Sequence, residues 1–209
     1  MTRKLRGLYA IADTAYLDDA HLAGAVEQAI AGGARVVQYR DKKNDIVTRR
    51  RQANALSRLC RDGGVIFLVN DDVTLARESG ADGVHLGRED MSLEGARTQL
   101  GADRLIGVSC YNELEHAVRA EKQGADYVAF GSFFPSRTKP QAVRAGLDLL
   151  RSARAQLKIA VVAIGGITPE NGAELIRAGA DMLAVIEGVF GQPDVRVAAR
   201  RYAELFRQD

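Results

Sequence analysis

A three-residue pattern, Gly-Ala followed by Arg or Asp, recurs four times at long intervals: Gly33-Ala34-Arg35, Gly80-Ala81-Asp82, Gly124-Ala125-Asp126 and Gly179-Ala180-Asp181. Each copy follows an amphipathic stretch and precedes an apolar run, respectively VVQY, GVHL, YVAF and MLAV. A glycine in that place stops a helix with a residue of positive φ, after which the chain turns into a strand. Between the copies lie LYAIA (8–12), VIFLV (65–69), LIGV (105–108) and IAVVAI (159–164), which lead into helical patterns such as LEHAVRAEKQ (114–123). Near-continuous apolar strands alternating with amphipathic helices imply a parallel sheet covered by helices. Four double units supply about eight strands, the number that closes a (β/α)8 barrel. The alternative is an open doubly wound sheet. It wants Gly-x-Gly-x-x-Gly after the first strand, and ADTAYLDD (12–19) has no such fingerprint.

The chain has 209 residues, and a TIM barrel typically needs about 200 or more. Residues 1–209 are therefore expected to form one α/β domain, a (β/α)8 barrel of the phosphate-binding type. With 46% hydrophobic and 27% charged residues, the chain can bury a full core. A net charge of +2 is too mild to imply nucleic acid. The densest basic run, Arg49-Arg50-Arg51, is expected on a solvated helix face. Cys60 and Cys110 lack disulfide or zinc spacing and suit a reducing cytoplasm. The N-terminus reads as a first strand rather than a signal peptide. No apolar stretch approaches the roughly 20 residues of a membrane span.

In this fold, residues at the C-terminal ends of the strands share the face that carries active sites. Polar groups crowd those positions. Gln38, Arg40 and Lys42 are spaced by two, so an extended segment points them to one side. Arg offers a planar fork for phosphate oxygens and Lys a compact charge. Asn70, Asp71 and Asp72 follow the third strand, and His85 through Asp90 follows the fourth. Two carboxylates such as Asp71 and Asp90 can hold Mg²⁺ while substrate phosphates and water complete its shell; Asp72 is better placed as a helix N-cap. Ser109 ends the fifth strand. Ser136, Thr138 and Lys139 lie in a long sixth loop, and their hydroxyls and ammonium suit a second anion. Gly165-Gly166-Ile167-Thr168 precedes a helix with Thr168 at the N-cap and Pro169 at N1. With Gly188 after the eighth strand, it matches the usual phosphate site of such barrels. His85 is either a hydrogen-bonded wall residue or a direct participant. His21 and His116 fall in helical stretches and are expected at the surface. No nucleophile–base pair is visible: Ser109 has no base beside it in sequence, and neither cysteine sits in a nucleophile signature.

Taken together, these residues resemble the thiamine-phosphate synthase family from Leu8 to about Phe190. The matching pieces are Gln38-x-Arg40-x-Lys42, Asn70-Asp71-Asp72, His85-Leu86-Gly87-x-x-Asp90, Gly107-Val108-Ser109, Pro135-Ser136-x-Thr138-Lys139 and Ile164-Gly165-Gly166-Ile167. The resemblance implies joining of 4-amino-5-hydroxymethyl-2-methylpyrimidine diphosphate to 4-methyl-5-(2-hydroxyethyl)thiazole phosphate, with release of pyrophosphate. The C–O bond breaks first, and the thiazole nitrogen captures the pyrimidine carbocation. Such a step needs no protein nucleophile; it needs stabilisation of the leaving diphosphate. By resemblance, Arg40, Lys42, Asn70 and Lys139 contact the diphosphate, Asp71 and Asp90 hold Mg²⁺, and Gln38 and Ser109 face the pyrimidine. Ser136, Thr138, Gly166 and the turn at Ile186-Glu187 hold the thiazole phosphate. Arg40, Lys42, Ser109 and Lys139 are thus the catalytic candidates, and His85 joins the substrate wall.

Two positions depart from the family pattern. Arg88 stands where many relatives have Gln, and Glu187 where they commonly have Ser or Asn. A carboxylate aimed at a phosphate would repel it, so Glu187 is expected to point away while its backbone amide binds. The competing readings are a thiazole tautomerase relative, a non-catalytic phosphate-binding barrel and a sugar-phosphate epimerase or isomerase. The first would lack the Gln-x-Arg-x-Lys set, the second has no need of Asp71 and Asp90, and the third wants paired acid–base groups. The expected partners are two small-molecule substrates in the cytoplasm, with no nucleic acid and no membrane. Family resemblance adds a small homo-oligomer.

Overall fold

The computed structural model describes residues 5–135 and 143–207. Eight parallel strands close into a barrel in sequence order: β1 (Gly7–Asp13), β2 (Val36–Arg40), β3 (Ile66–Asn70), β4 (Gly83–Leu86), β5 (Leu105–Tyr111), β6 (Tyr127–Phe130), β7 (Ala160–Ile164) and β8 (Met182–Val185). The last strand returns to the first, with Gly7 opposite Met182 and Ala10 opposite Val185. Three of the four apolar runs behind the Gly-Ala pattern match their strands end to end: GVHL, YVAF and MLAV.

Helices alternate with the strands: α1 (Asp19–Ala31), α2 (Ile46–Asp62), α3 (Val73–Glu78), α4 (Leu93–Leu100), α5 (Leu114–Lys122), α6 (Leu147–Gln156), α7 (Pro169–Arg177), the short α8 (Glu187–Phe190) and α9 (Val195–Glu204). Side-chain alternation along the strands divides the interior in two. Tyr9, Ile11, Val36, Ile66, Leu68, Tyr127, Ala129, Val162, Met182 and Ala184 fill the barrel itself. Their neighbours, such as Leu8, Ala10, Val37, Phe67, Val84 and Val128, pack outward against the helices. Sequence alternation thus sorts a strand buried on both faces into two cores.

The repeated tripeptide has a structural reason. In each copy the glycine has positive φ: 107° at Gly33, 67° at Gly80, 92° at Gly124 and 118° at Gly179. The next alanine donates its N–H back to the last helical turn, as in Ala34 to the Ala29 carbonyl and Ala125 to the Ala120 carbonyl, both at 3.0 Å. This is the Schellman closure. The aspartate that follows then reaches the preceding strand: Asp82 Oδ2 accepts from Phe67 N (2.8 Å), Asp126 Oδ2 from Ile106 N (2.7 Å) and Asp181 Oδ2 from Val161 N (2.9 Å). These strand amides at the open edge of the barrel need partners, and a carboxylate is a strong one. Arg35 takes the position in the first copy, with its backbone N–H on the Leu8 carbonyl at 2.9 Å.

Two expectations about the helices are met in part. Arg50 and Arg51 are exposed, as expected of a solvated face, but all three arginines are paired. They pair with Asp72, Glu78 and Asp19 respectively, tying α2 to its neighbours, and Arg49 is largely covered. His116 is half-buried rather than fully at the surface. Its Nδ1 is buried without a hydrogen-bond partner among the described residues, and burial lowers its pKa. Its position on α5, next to the buried Ala117 and one turn before the buried Ala120, turns it partly inward. His21 is exposed, as expected, beside its N-cap Asp18.

Candidate functional site

A cavity of 970 Å³ opens at the C-terminal ends of the strands. Gln38, Arg40, Asn70, His85 and Ser109 line one side, and Gly165, Gly166, Ile186 and Glu187 line the other. A second cavity of 520 Å³ carries Lys42, Asp71 and Asp72, and Asn70 lines both. The inward parity of β2 explains the first two positions: Val36 belongs to the inner core, so Gln38 and Arg40 share its side. Gln38 is buried. Arg40 pairs with the buried Asp13, its register partner on β1. Lys42 lies past the strand end and pairs with Asp71.

Between them Asp41 turns the other way. Its carboxylate accepts from Thr14 Oγ1 (2.9 Å), Tyr39 Oη (2.8 Å), the backbone of Lys43 (2.9 Å) and Asn44 Nδ2 (2.8 Å). Burial opposes its ionisation, but these donors win and hold its pKa well below the usual carboxylate range. The loop that presents Lys42 is therefore anchored by a buried anion.

A line of hydrogen bonds crosses the floor of the large cavity. Gln38 Nε2 donates to Tyr9 Oη (2.7 Å), Tyr9 Oη meets Tyr127 Oη (2.9 Å), Tyr127 Oη meets His85 Nδ1 (3.0 Å), and His85 Nε2 meets Ser109 Oγ (2.9 Å). His85 is thus a hydrogen-bonded wall residue. The fold also pairs Ser109 with a histidine, which sequence neighbours do not reveal. The strand register makes this possible. His85 and Tyr127 both pair with Gly107, on the strand between them, and glycine leaves the path open. Tyr9 and Tyr127 were not singled out in the sequence. The available signal was a tyrosine inside each of two buried strands, since a buried phenol must find a partner.

Asp71 and Asp90 meet as a hydrogen-bonded pair. Burial and then the Asp90 carboxylate raise the pKa of Asp71, against the pull of Lys42. Burial works against Asp90 as well, yet the bond from Asp71 and the Gly87 N–H at 2.6 Å lower its pKa. Asp71 also holds a positive φ of 63°, and its N–H donates to the His85 carbonyl at 2.8 Å. Among the described residues no group of three or more metal-type side chains gathers. Two adjacent hard oxygen donors fit an ion that takes its remaining ligands from water and substrate, which is the habit of Mg²⁺. Asp72 caps α3 by accepting from Leu75 N at 2.9 Å.

On the opposite wall, Gly165 and Gly166 have φ of 103° and 61°. The backbone of Phe134-Pro135 crosses so close that a β-carbon on Gly166 would stand 2.3 Å from the Pro135 carbonyl oxygen. Thr168 and Asn171 form a reciprocal capping box at the start of α7, with Pro169 at N1. The stem of Glu187 lies against Gly191, whose β-carbon would meet Glu187 Cγ at 2.9 Å. Arg88 pairs with Glu113 at 2.5 Å and sits 4.8 Å over the Tyr111 ring, at an exposed rim. Ser136, Thr138 and Lys139 lie outside the described residues.

Comparison with known proteins adds a separate line of evidence. The family model described as "Thiamine monophosphate synthase" matches residues 8–189. The chain is 52% identical to thiamine-phosphate synthase of Nitrosococcus oceani over 206 residues, covering 99% of this chain and 95% of that one. It is also 52% identical to the thiamine-phosphate synthase of Chromobacterium violaceum, covering 99% of each. Among solved structures it is similar to thiamine phosphate pyrophosphorylase from Pyrococcus furiosus, with a TM-score of 0.89, 37% identity, and coverage of 100% of this chain and 98% of that one.

Proposed function

This chain belongs to the thiamine monophosphate synthase family, and from that membership we propose that it is the transferase joining 4-amino-5-hydroxymethyl-2-methylpyrimidine diphosphate to 4-methyl-5-(2-hydroxyethyl)thiazole phosphate. The products are thiamine phosphate and pyrophosphate. One observation carries the reading. A hydrogen-bonding wall of Gln38, His85 and Ser109 stands beside Asn70 and the charged set Arg40, Lys42, Asp71 and Asp90, across a cavity from the glycine turns after β7 and β8. That division suits a flat uncharged ring with a diphosphate on one side and a second phosphate opposite.

In this reading Gln38 and Ser109 grip the pyrimidine. Arg40, Lys42 and Asn70 take the diphosphate oxygens, and Lys139 joins them. Ionisation of the C–O bond moves negative charge onto the leaving group, where these cations and the amide stabilise it. Asp71 and Asp90 hold Mg²⁺, which supplies charge neutralisation and a template. Gly166, the amides at Ile186-Glu187, and Ser136 and Thr138 hold the thiazole phosphate, so that its ring nitrogen faces the carbon that loses diphosphate. Carbon–nitrogen bond formation then replaces the broken carbon–oxygen bond, without a protein nucleophile. Among the described residues no helix is long and apolar enough to cross a membrane.

The test is an assay of purified protein with both substrates and Mg²⁺, following thiamine phosphate as fluorescent thiochrome. Product that requires both substrates and metal is expected. Absence of product under those conditions would overturn the proposal.

A further inference from the structure

Five side chains from five strands form one unbroken line, Gln38–Tyr9–Tyr127–His85–Ser109, with every link between 2.7 and 3.0 Å. Tyr9, Tyr127 and Gln38 are buried, and His85 is half-buried between Tyr127 and Ser109. Each link has one hydrogen to give, so the direction of the first bond decides all the others. The Gln38 amide nitrogen can only donate. Tyr9 Oη accepts that hydrogen and spends its own on Tyr127 Oη. Tyr127 in turn donates to His85 Nδ1, which must be a bare lone pair. A neutral imidazole then carries its hydrogen on Nε2 and gives it to Ser109 Oγ. The serine hydrogen is left to point into the cavity, and Gln38 Oε1 is left as the acceptor at the far end. Burial pushes both phenols up out of the ordinary tyrosine range, so neither hydrogen is lost by ionisation.

We propose that Tyr9, Tyr127 and His85 are positioning residues that lock the direction of this line, so that the site offers one donor, Ser109, and one acceptor, Gln38, and thereby selects a ring bearing an exocyclic amine beside an unprotonated ring nitrogen. A 4-oxo ring presents the opposite edge, a carbonyl and a ring N–H. Accepting it would require every hydrogen along the line to reverse at once and the Gln38 amide to turn over. The same direction explains why the Ser109–His85 pair is no hydrolytic dyad: Nε2 gives a hydrogen to the serine instead of taking one. The choice of ring rests on the function proposed above; the direction of the line does not.

Two measurements separate those parts. Ring-nitrogen NMR of isotopically labelled, ligand-free protein reads the protonation of His85, assigned by comparison with His85→Asn. The expected spectrum has hydrogen on Nε2 and none on Nδ1. Calorimetry with Mg²⁺ then compares the 4-amino pyrimidine diphosphate with its 4-oxo counterpart. Preference for the amine is expected to be roughly 100-fold, the worth of two mismatched buried hydrogen bonds. Tyr127→Phe should mix the two His85 tautomers and shrink that preference about tenfold. Tyr9→Phe cuts the line at a second point and should act alike. Hydrogen on Nδ1 in the parent protein, or an unchanged tautomer and preference in both variants, would overturn the proposal. If neither pyrimidine binds, the functional reading fails, while the histidine spectrum still upholds or overturns the direction of the line.

Discussion

Gly107 and Tyr127 claim the same space: a β-carbon on the glycine would stand 1.9 Å from Cζ of the tyrosine ring. The two are register partners on β5 and β6, and His85 is the partner of Gly107 on its other side. The missing side chain is what lets a histidine and a tyrosine two strands apart share a hydrogen bond.

Gly107→Ala should therefore destabilise the fold by about 1–3 kcal/mol, the usual range for overpacking a full core. Urea unfolding would measure the loss, and near-ultraviolet circular dichroism the displacement of the tyrosine. A variant as stable as the parent, with an unchanged spectrum, would refute the account of this row.

Arg40→Ala should have two effects. It leaves the buried Asp13 carboxylate without its cation, which costs about 3–5 kcal/mol when one partner of a buried pair is removed. It should also lower kcat/KM at least about tenfold through loss of a charge-assisted contact. Arg40→Lys should recover much of the stability and less of the rate, because the planar fork is gone. A normal rate in folded Arg40→Ala would move the diphosphate elsewhere.

Metal dependence bears on the acid pair. Excess EDTA should abolish turnover, and Asp90→Asn should raise the Mg²⁺ concentration for half-maximal rate at least about tenfold, a loss of roughly 1.4 kcal/mol in binding. Full activity in the chelator would remove Asp71 and Asp90 from this role.

Asp41 gives the fold an acid limit. Its pKa is lowered on folding because the gathered donors outweigh burial. Its contribution is thus complete above the unfolded value of about 3.9 and declines as pH falls below it toward the lowered folded value. Asp41→Asn should cost about 1–3 kcal/mol at neutral pH. Its unfolding midpoint should fall less steeply than the parent's as pH drops below about 4. Parallel curves would show that the four donors do not act on the ionised form.

At the other end of the barrel, Asp126→Ala frees the Ile106 N–H and the Arg97 guanidinium, both at 2.7 Å. Stability should drop by about 1–3 kcal/mol with kcat unchanged. A change in kcat that persists in fully folded protein would show coupling between the two ends.

Much of this molecule was legible because its signals are local. Gly80, Gly124 and Gly179 stop helices through contacts within a few residues, and Thr168-Pro169 announces its own helix start. Even the inward turn of Gln38 and Arg40 follows from period-two spacing. What escaped depends on closure of the barrel. Ser109 meets His85 across 24 residues of chain, and Tyr9 meets Tyr127 across 118; no spacing rule reaches so far. The partners of Arg49, Arg50 and Arg51 escaped for the same reason, since their carboxylates arrive from α1 and the β3–α3 segment. His116 differs in kind: its helix looked amphipathic, but whether an intermediate position faces in or out is set by the neighbour it packs on.

Through their bonds to strand amides, the three aspartates after the Gly-Ala turns join β3 to β4, β5 to β6 and β7 to β8, while Asp126 and Asp181 also pair with Arg97 on α4 and Arg154 on α6. By these amide bonds the last six strands are stitched in three pairs, like cloth panels basted separately before being sewn together. A gene rearranged to begin at β3 or β5 would carry every one of these stitches intact within a panel, whereas one begun at β4 or β6 would leave a stitch between its two ends.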